Sequence, residues 1–151
     1  MAVDVSTHIT ISAAPEVVAA FAGDPSNAPA WYVNIDSVEW QTPPPVAVGS
    51  LMTFTARFLG RPLTYTYEVV ELVPSRLLTM RTAQGPFPME TSYTWEPTND
   101  GRTLMTLRNR GTPTGFASIT APAMAAAMRR ANRKDLARLR ALLEGPGLAQ
   151  S

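Results

Sequence analysis

A chain of 151 residues with 45% hydrophobic and 17% charged content is long enough to bury a substantial core as one domain. Its formal net charge of +1 supplies no global field to draw in nucleic acid or an anionic membrane, and the lack of cysteine excludes disulfides, thiolate nucleophiles and cysteine-based metal sites. No basic region followed by an apolar run opens the chain and no apolar stretch approaches a membrane span, so a cytoplasmic location without stable membrane insertion is the expectation.

The first predicted element is a half-buried strand over Val3 to Ile11, where Val3, Val5, Thr7, Ile9 and Ile11 alternate with Asp4, Ser6, His8 and Thr10. A helix start follows at Ser12 to Glu16, with Pro15 near its first position and Glu16 in its first turn. Val17, Val18 and Phe21 give that helix one apolar face, and Gly23 with Asp24-Pro25 ends it. A second short helical turn is expected over Ser26 to Trp31, broken by Pro29.

From Val33 the pattern changes to strands: Ile35 to Gln41, Ser50 to Leu59, Leu63 to Leu72, Leu77 to Thr82, Met89 to Glu96 and Thr103 to Arg110. Turn chemistry separates them, at Pro43-Pro44-Pro45 with Gly49, Gly60-Arg61-Pro62, Pro74-Ser75, Gln84 to Pro88, and Asn99-Asp100-Gly101. Strands joined this closely form an antiparallel meander. A long amphipathic helix then runs from about Gly115 to Glu144, with Met124, Met128, Leu136, Leu139 and Leu143 on one stripe. Pro122 is expected to kink it or delay its regular part, and Gly145-Pro146-Gly147 to stop it before a short flexible tail. The ordered core is expected over about residues 3–145, with no internal repeat.

A sheet of this extent with one major helix must curl around that helix to bury its apolar face. The concavity is wider than the helix stripe, so the arrangement predicts a pocket. Alternation assigns its wall: Met52, Phe54, Ala56 and Phe58; Leu63, Tyr65, Tyr67 and Val69; Met89, Thr91, Tyr93 and Trp95; and Met105, Leu107 and Asn109. Met124 and Met128 form its lid, and methionine adapts to irregular apolar shapes. Plain core packing is the competing account of each of these residues. Asn132, one turn from both Met128 and Leu136, and Asn109 interrupt apolar stripes. A buried amide needs a partner, either from the protein itself or from the polar end of a ligand. The phenols of Tyr65 and Tyr67 pose the same choice. Trp31 and Tyr32 either gate the cavity mouth beside Gly85-Pro86-Phe87 or staple the short helices onto the sheet.

The order strand, two short helices, six-stranded meander and long C-terminal helix resembles the helix-grip fold of the START/Bet v 1-like superfamily. Within it, the chain looks like the SRPBCC proteins grouped as polyketide cyclase/dehydrase or lipid transport. The segments that carry the likeness are Ile11-Ser12-Ala13-Ala14-Pro15-Glu16-Val17-Val18, Asp24-Pro25 through Trp31-Tyr32, Glu71-Leu72-Val73-Pro74-Ser75-Arg76-Leu77, Asp100-Gly101-Arg102-Thr103 and the C-terminal helix, spanning nearly the whole chain. The resemblance implies an α+β helix-grip domain over residues 1–151, with a curved antiparallel sheet of about seven strands around the long helix and a deep apolar cavity between them. It implies carriage of a hydrophobic small molecule, such as a lipid, polyketide or aromatic metabolite, by a monomer or homodimer. The alternative is a polyketide cyclase or dehydratase using the same cavity, since fold alone does not fix function.

Catalytic signals are few. His8, the only histidine, falls on the less apolar side of its strand, and no nucleophile–base–acid set or metal-ligand spacing is evident, so neither metal nor cofactor is expected. Glu68, Glu90 and Glu96 alternate outward, while the side of Glu71 stays open because a bulge near Val69-Val70 could switch parity. A cyclase needs only a shaped pocket and one tyrosine or arginine polarising a carbonyl. Tyr65 and Tyr67 are the candidates, and Arg57, Arg81 or Arg108 would serve only if the alternation places them on the wrong face. On the helix, Arg129, Arg130, Arg133, Lys134, Arg138 and Arg140 form a basic outer face, expected to be tied by Asp135–Arg138 and Arg140–Glu144 pairs. Nucleic-acid binding would need more net positive charge and interleaved exposed aromatics. Lys134 is the lone lysine among many arginines, which reads as the coding bias of a high-GC bacterial genome.

Overall fold

The computed structural model describes residues 3–85, 87–112 and 120–145. Seven antiparallel strands form one sheet: β1 (Val3–Ile11), β2 (Ile35–Trp40), β3 (Leu51–Phe58), β4 (Arg61–Val73), β5 (Leu77–Gln84), β6 (Met89–Pro97) and β7 (Thr103–Gly111). Their spatial order is β1-β7-β6-β5-β4-β3-β2, so the six later strands run as a meander and β1 returns to the far edge beside β7. Between β1 and β2 lie α1 (Pro15–Ala22), a 3₁₀ turn (Pro25–Asn27) and α2 (Ala28–Trp31). The long helix α3 (Ala121–Glu144) packs across the concave side, with β1 and α2 among its neighbours. This is the helix-grip arrangement that the segment order predicts.

Local chemistry explains most boundaries. Pro15 occupies the start of α1, where its missing N–H costs nothing, and Asp24 caps the 3₁₀ turn by accepting from the Ser26 N–H at 3.0 Å. Pro29 sits in the first turn of α2 and opens that helix; it does not break it. The β3–β4 turn is Leu59-Gly60, both at positive φ (52° and 78°), so Arg61 and Pro62 already belong to β4. β4 shifts register between Val69 and Glu71, where a bulge could have switched the parity, and Glu71 is exposed. Thr120 caps α3 through its hydroxyl at the Ala123 N–H, which places Pro122 in the first turn, and no kink is needed to accommodate it. The expected helix start at Gly115 and the tail beyond Gly145 lie outside the described residues.

The interior divides into two clusters. The larger joins Ile11, Val18, Trp31, Phe54, Tyr67, Trp95, Met105 and Leu107 to Leu136, Leu139 and Leu143 from the C-terminal half of α3. The smaller joins Val3 and Val5 to Met124 and Met128 from its N-terminal half. On the opposite, convex face, Arg81 and Arg110 flank Glu90 and Arg108 pairs with Asp4 at 2.6 Å. Glu68, Glu96 and His8 are exposed. No helix among the described residues is long and apolar enough to cross a membrane.

Candidate functional site

The two clusters do not merge, and a cavity of about 120 Å³ lies between the sheet and α3 at their seam. Strand alternation delivers its wall. Phe54, Ala56 and Phe58 come from β3, Leu63, Tyr65 and Tyr67 from β4, Met89, Thr91 and Tyr93 from β6, and Asn109 from β7. Met124, Met128 and Asn132 descend from α3 at intervals of four, one helical turn apart, and Tyr32 enters from the end of α2. Phe87, in the β5–β6 loop, borders the same space.

Trp31 and Trp95 stand apart from this wall. Trp31 is fully buried behind Tyr32 and Tyr93, with ring centroids 4.1 and 5.7 Å away. Trp95 packs toward α1, where its ring would stand 3.3 Å from a Cβ placed on Gly23. Both indole N–H groups are buried without a hydrogen-bond partner among the described residues.

Polar groups line part of the cavity in two sets. In one, the Tyr67 hydroxyl donates to Thr91 Oγ1 at 2.8 Å, and that hydroxyl donates to Asn109 Oδ1 at 2.8 Å, a self-contained relay. Here the protein itself is the partner of Tyr67 and of the Asn109 oxygen. In the other, Tyr32 and Tyr93 share a hydrogen bond at 2.5 Å, and Asn132, Asp135, Asn34 and Tyr65 complete the polar wall. The second set is not closed. Asn132 is 5% exposed and its Nδ2 has no hydrogen-bond partner among the described residues.

Asp135 is the residue that strand and stripe patterns missed. The basic-face reading paired it with Arg138 at the surface, but it is 3% exposed and lines the cavity. Its Oδ1 accepts from the Val33 N–H at 2.9 Å, fastening the linker after α2 to α3. The second expected surface pair also gives way: Glu144 Oε2 accepts from the Ser12 N–H at 2.6 Å. Burial pushes the Asp135 carboxyl up to about 6, opposed by the Val33 N–H and the Arg138 charge. Burial likewise raises all four tyrosines, so Tyr32, Tyr65, Tyr67 and Tyr93 are neutral phenols at physiological pH. The signal for Asp135 was present, since it stands seven residues from Met128 and three from Asn132, on the inner stripe. Asn34 had no such signal, because it lies in an irregular linker between α2 and β2.

A family model described as polyketide cyclase / dehydrase and lipid transport matches residues 2–144 of the chain. No curated protein matches it in sequence. Solved structures share the fold at low identity. The START superfamily protein from Mycobacterium smegmatis superposes with a TM-score of 0.81 at 15% identity, covering 93% of this chain and 97% of that one. The Zhui aromatase/cyclase from Streptomyces sp. R1128 gives 0.76 at 16% identity over 95% and 94%. Ginseng major latex-like protein 151 from Panax ginseng gives 0.74 at 16% identity over 93% and 97%.

Proposed function

The chain belongs to the polyketide cyclase/dehydrase and lipid-transport family, and on that premise we propose that it binds a hydrophobic small molecule between its sheet and its long helix. The observation that carries this reading is the unfilled space at the seam of the core, walled by Phe54, Phe58, Met89, Met124 and Met128. Well-packed interiors leave few voids larger than a water molecule, so an apolar hollow of this kind is costly without an occupant. Its volume of about 120 Å³ is close to the roughly 150 Å³ that accommodates benzene in an engineered apolar cavity elsewhere. A single ring or a short alkyl segment therefore fits without rearrangement, and the methionines give room for somewhat more.

Native mass spectrometry after gentle purification, with displacement of an environment-sensitive dye by small aromatics, tests the proposal. Met128→Trp fills the hollow from the helix side and is expected to abolish dye binding. A protein that carries nothing, takes up no dye and is indifferent to that substitution would refute it.

A second reading is supported by Asp135. A carboxyl raised to about 6 populates both protonation states near neutrality, as a general acid/base requires, and Tyr65 lies on the same wall. Cyclisation or dehydration of a poly-β-keto chain would use these groups to move a proton and polarise a carbonyl. The volume favours binding over this reading, because pockets for drug-sized ligands run from about 300 Å³ upward. Turnover of such a substrate, lost in Asp135→Asn and in Tyr65→Phe or Tyr67→Phe, would support the enzyme. Turnover unchanged in all three would remove these groups from the chemistry.

A further inference from the structure

The polar wall of the cavity pairs a buried, unpartnered donor with a buried carboxylate. The buried Asn132 Nδ2 is a donor with no acceptor among the described residues. The buried Asp135 carboxylate uses Oδ1 for the Val33 N–H, and among the described residues no hydrogen bond to its second oxygen accompanies it. The two residues are three apart on α3 and line the same space, which sets their Cβ atoms about 5–6 Å from one another. That spacing lets one oxygen atom be met from both sides. A hydroxyl is suited to it: its O–H donates to Asp135 and its lone pair accepts from Asn132.

Charge narrows the choice further. Arg57 contributes to the cavity border, but its side chain is 75% exposed and reaches Asp36 at 3.6 Å. Arg138, the cation that acts on Asp135, is on the exposed side of α3. The tyrosines facing Asp135, namely Tyr32, Tyr65 and Tyr93, are neutral. A ligand carboxylate would therefore sit beside a buried carboxylate with no cation from the described residues reaching into the cavity to offset either. An ammonium would pair with Asp135 but leave the Asn132 donor unsatisfied.

We infer that Asn132 and Asp135 form a recognition point for an uncharged hydroxyl, so that the cavity selects phenols and small alcohols over hydrocarbons and rejects carboxylates of the same size. This rests on the binding reading above and assigns the chemical class of ligand to it.

Phenol, toluene and benzoate, compared by calorimetry at pH 7.5, separate the terms. Phenol is expected to bind at least about tenfold tighter than toluene, the scale of one well-made hydrogen bond to a buried charged group, and benzoate is expected not to bind measurably. Asn132→Leu should lower the phenol-to-toluene ratio about tenfold while toluene binding is kept or improved, which also reports that the variant is folded. Asp135→Asn keeps an acceptor for Val33 and adds an inward donor, so it should admit benzoate. Toluene bound as tightly as phenol by the native protein overturns the inference and leaves the cavity reading standing, as does benzoate binding that matches phenol. An unchanged ratio in Asn132→Leu overturns it equally. If none of the three binds the native protein, the cavity reading fails and this inference with it.

Discussion

Asp135→Asn separates the electrostatic cost of the site from its packing. The folded protein holds the Asp135 proton more tightly than an unfolded chain does, since burial raises the carboxyl from 3.8 to about 6. Folding therefore takes up a proton between these values, and stability falls as pH rises through that window. Above about pH 6 the penalty is complete, and the displacement corresponds to about 3 kcal/mol. Asparagine matches the shape, keeps an oxygen for the Val33 N–H and carries no charge. Burial of its own amide donor returns about 1–2 kcal/mol of the gain, so the variant should be more stable by about 1–2 kcal/mol at pH 7.5. At roughly 2–4 °C for each kcal/mol in a chain of this size, calorimetry resolves the difference. At pH 4.5 the native carboxyl is already protonated, and the difference should shrink to near zero. Urea titrations at both pH values, followed by tryptophan fluorescence, give the free energies directly. A variant less stable than the native protein at pH 7.5, or an advantage equal at both pH values, would show that Asp135 is not a buried and penalised charge. A penalty of this size, if measured, would support the proposal that Asp135 serves binding or chemistry in addition to fastening Val33.

The remaining predictions probe the frame around the site. Leu139→Ala, at a fully buried position under the larger cluster, should cost about 2–5 kcal/mol in urea unfolding; a loss below about 1 kcal/mol would mean the helix is not gripped there. Tyr67→Phe leaves Thr91 without its donor and should cost about 1–2 kcal/mol while dye binding persists, because the relay through Asn109 closes on the protein itself. Glu90 ties Arg81 to Arg110 across the convex face, and these arginines hold its carboxyl below the ordinary glutamate value of 4.5. Its contribution is present above that value and lost as pH falls through the lower one, so Glu90→Gln should cost little in acid. At neutral pH it should cost about 1 kcal/mol, reduced further in molar salt because both arginines are half-exposed.

Much of the fold was legible because strand alternation and helix periodicity are geometric. β1 spans the residues its alternation marks, and the inward sets on β3, β4, β6 and β7 follow from a period of two. Legibility failed where local chemistry has more than one solution. Gly60-Arg61-Pro62 reads as a turn, yet Leu59-Gly60 closes the hairpin in two residues and leaves Pro62 on the strand. Trp31 and Trp95 carry the marks of a cavity wall, but alternation and position fix only the side of the sheet. Depth is decided by what stands in front, and for Trp31 that is Tyr32 and Tyr93.

Asp135 shows the same limit from the other direction. Charged residues cover the outer face of α3, so charge suggested solvent while spacing pointed inward, and the spacing was the better guide. Its position accounts for the hollow itself. The apolar stripe of α3 is interrupted between Met128 and Leu136 by Asn132 and Asp135, and the two halves of the stripe anchor the two separate clusters. Leucine at both positions would let those clusters close on each other, since nothing polar would then need access to a partner. A buried amide donor and a buried carboxylate resist that collapse, because apolar neighbours cannot meet their hydrogen-bonding demand. The cavity and its polar wall are thus linked: Asn132 and Asp135 stand where the stripe that would join the two clusters is interrupted.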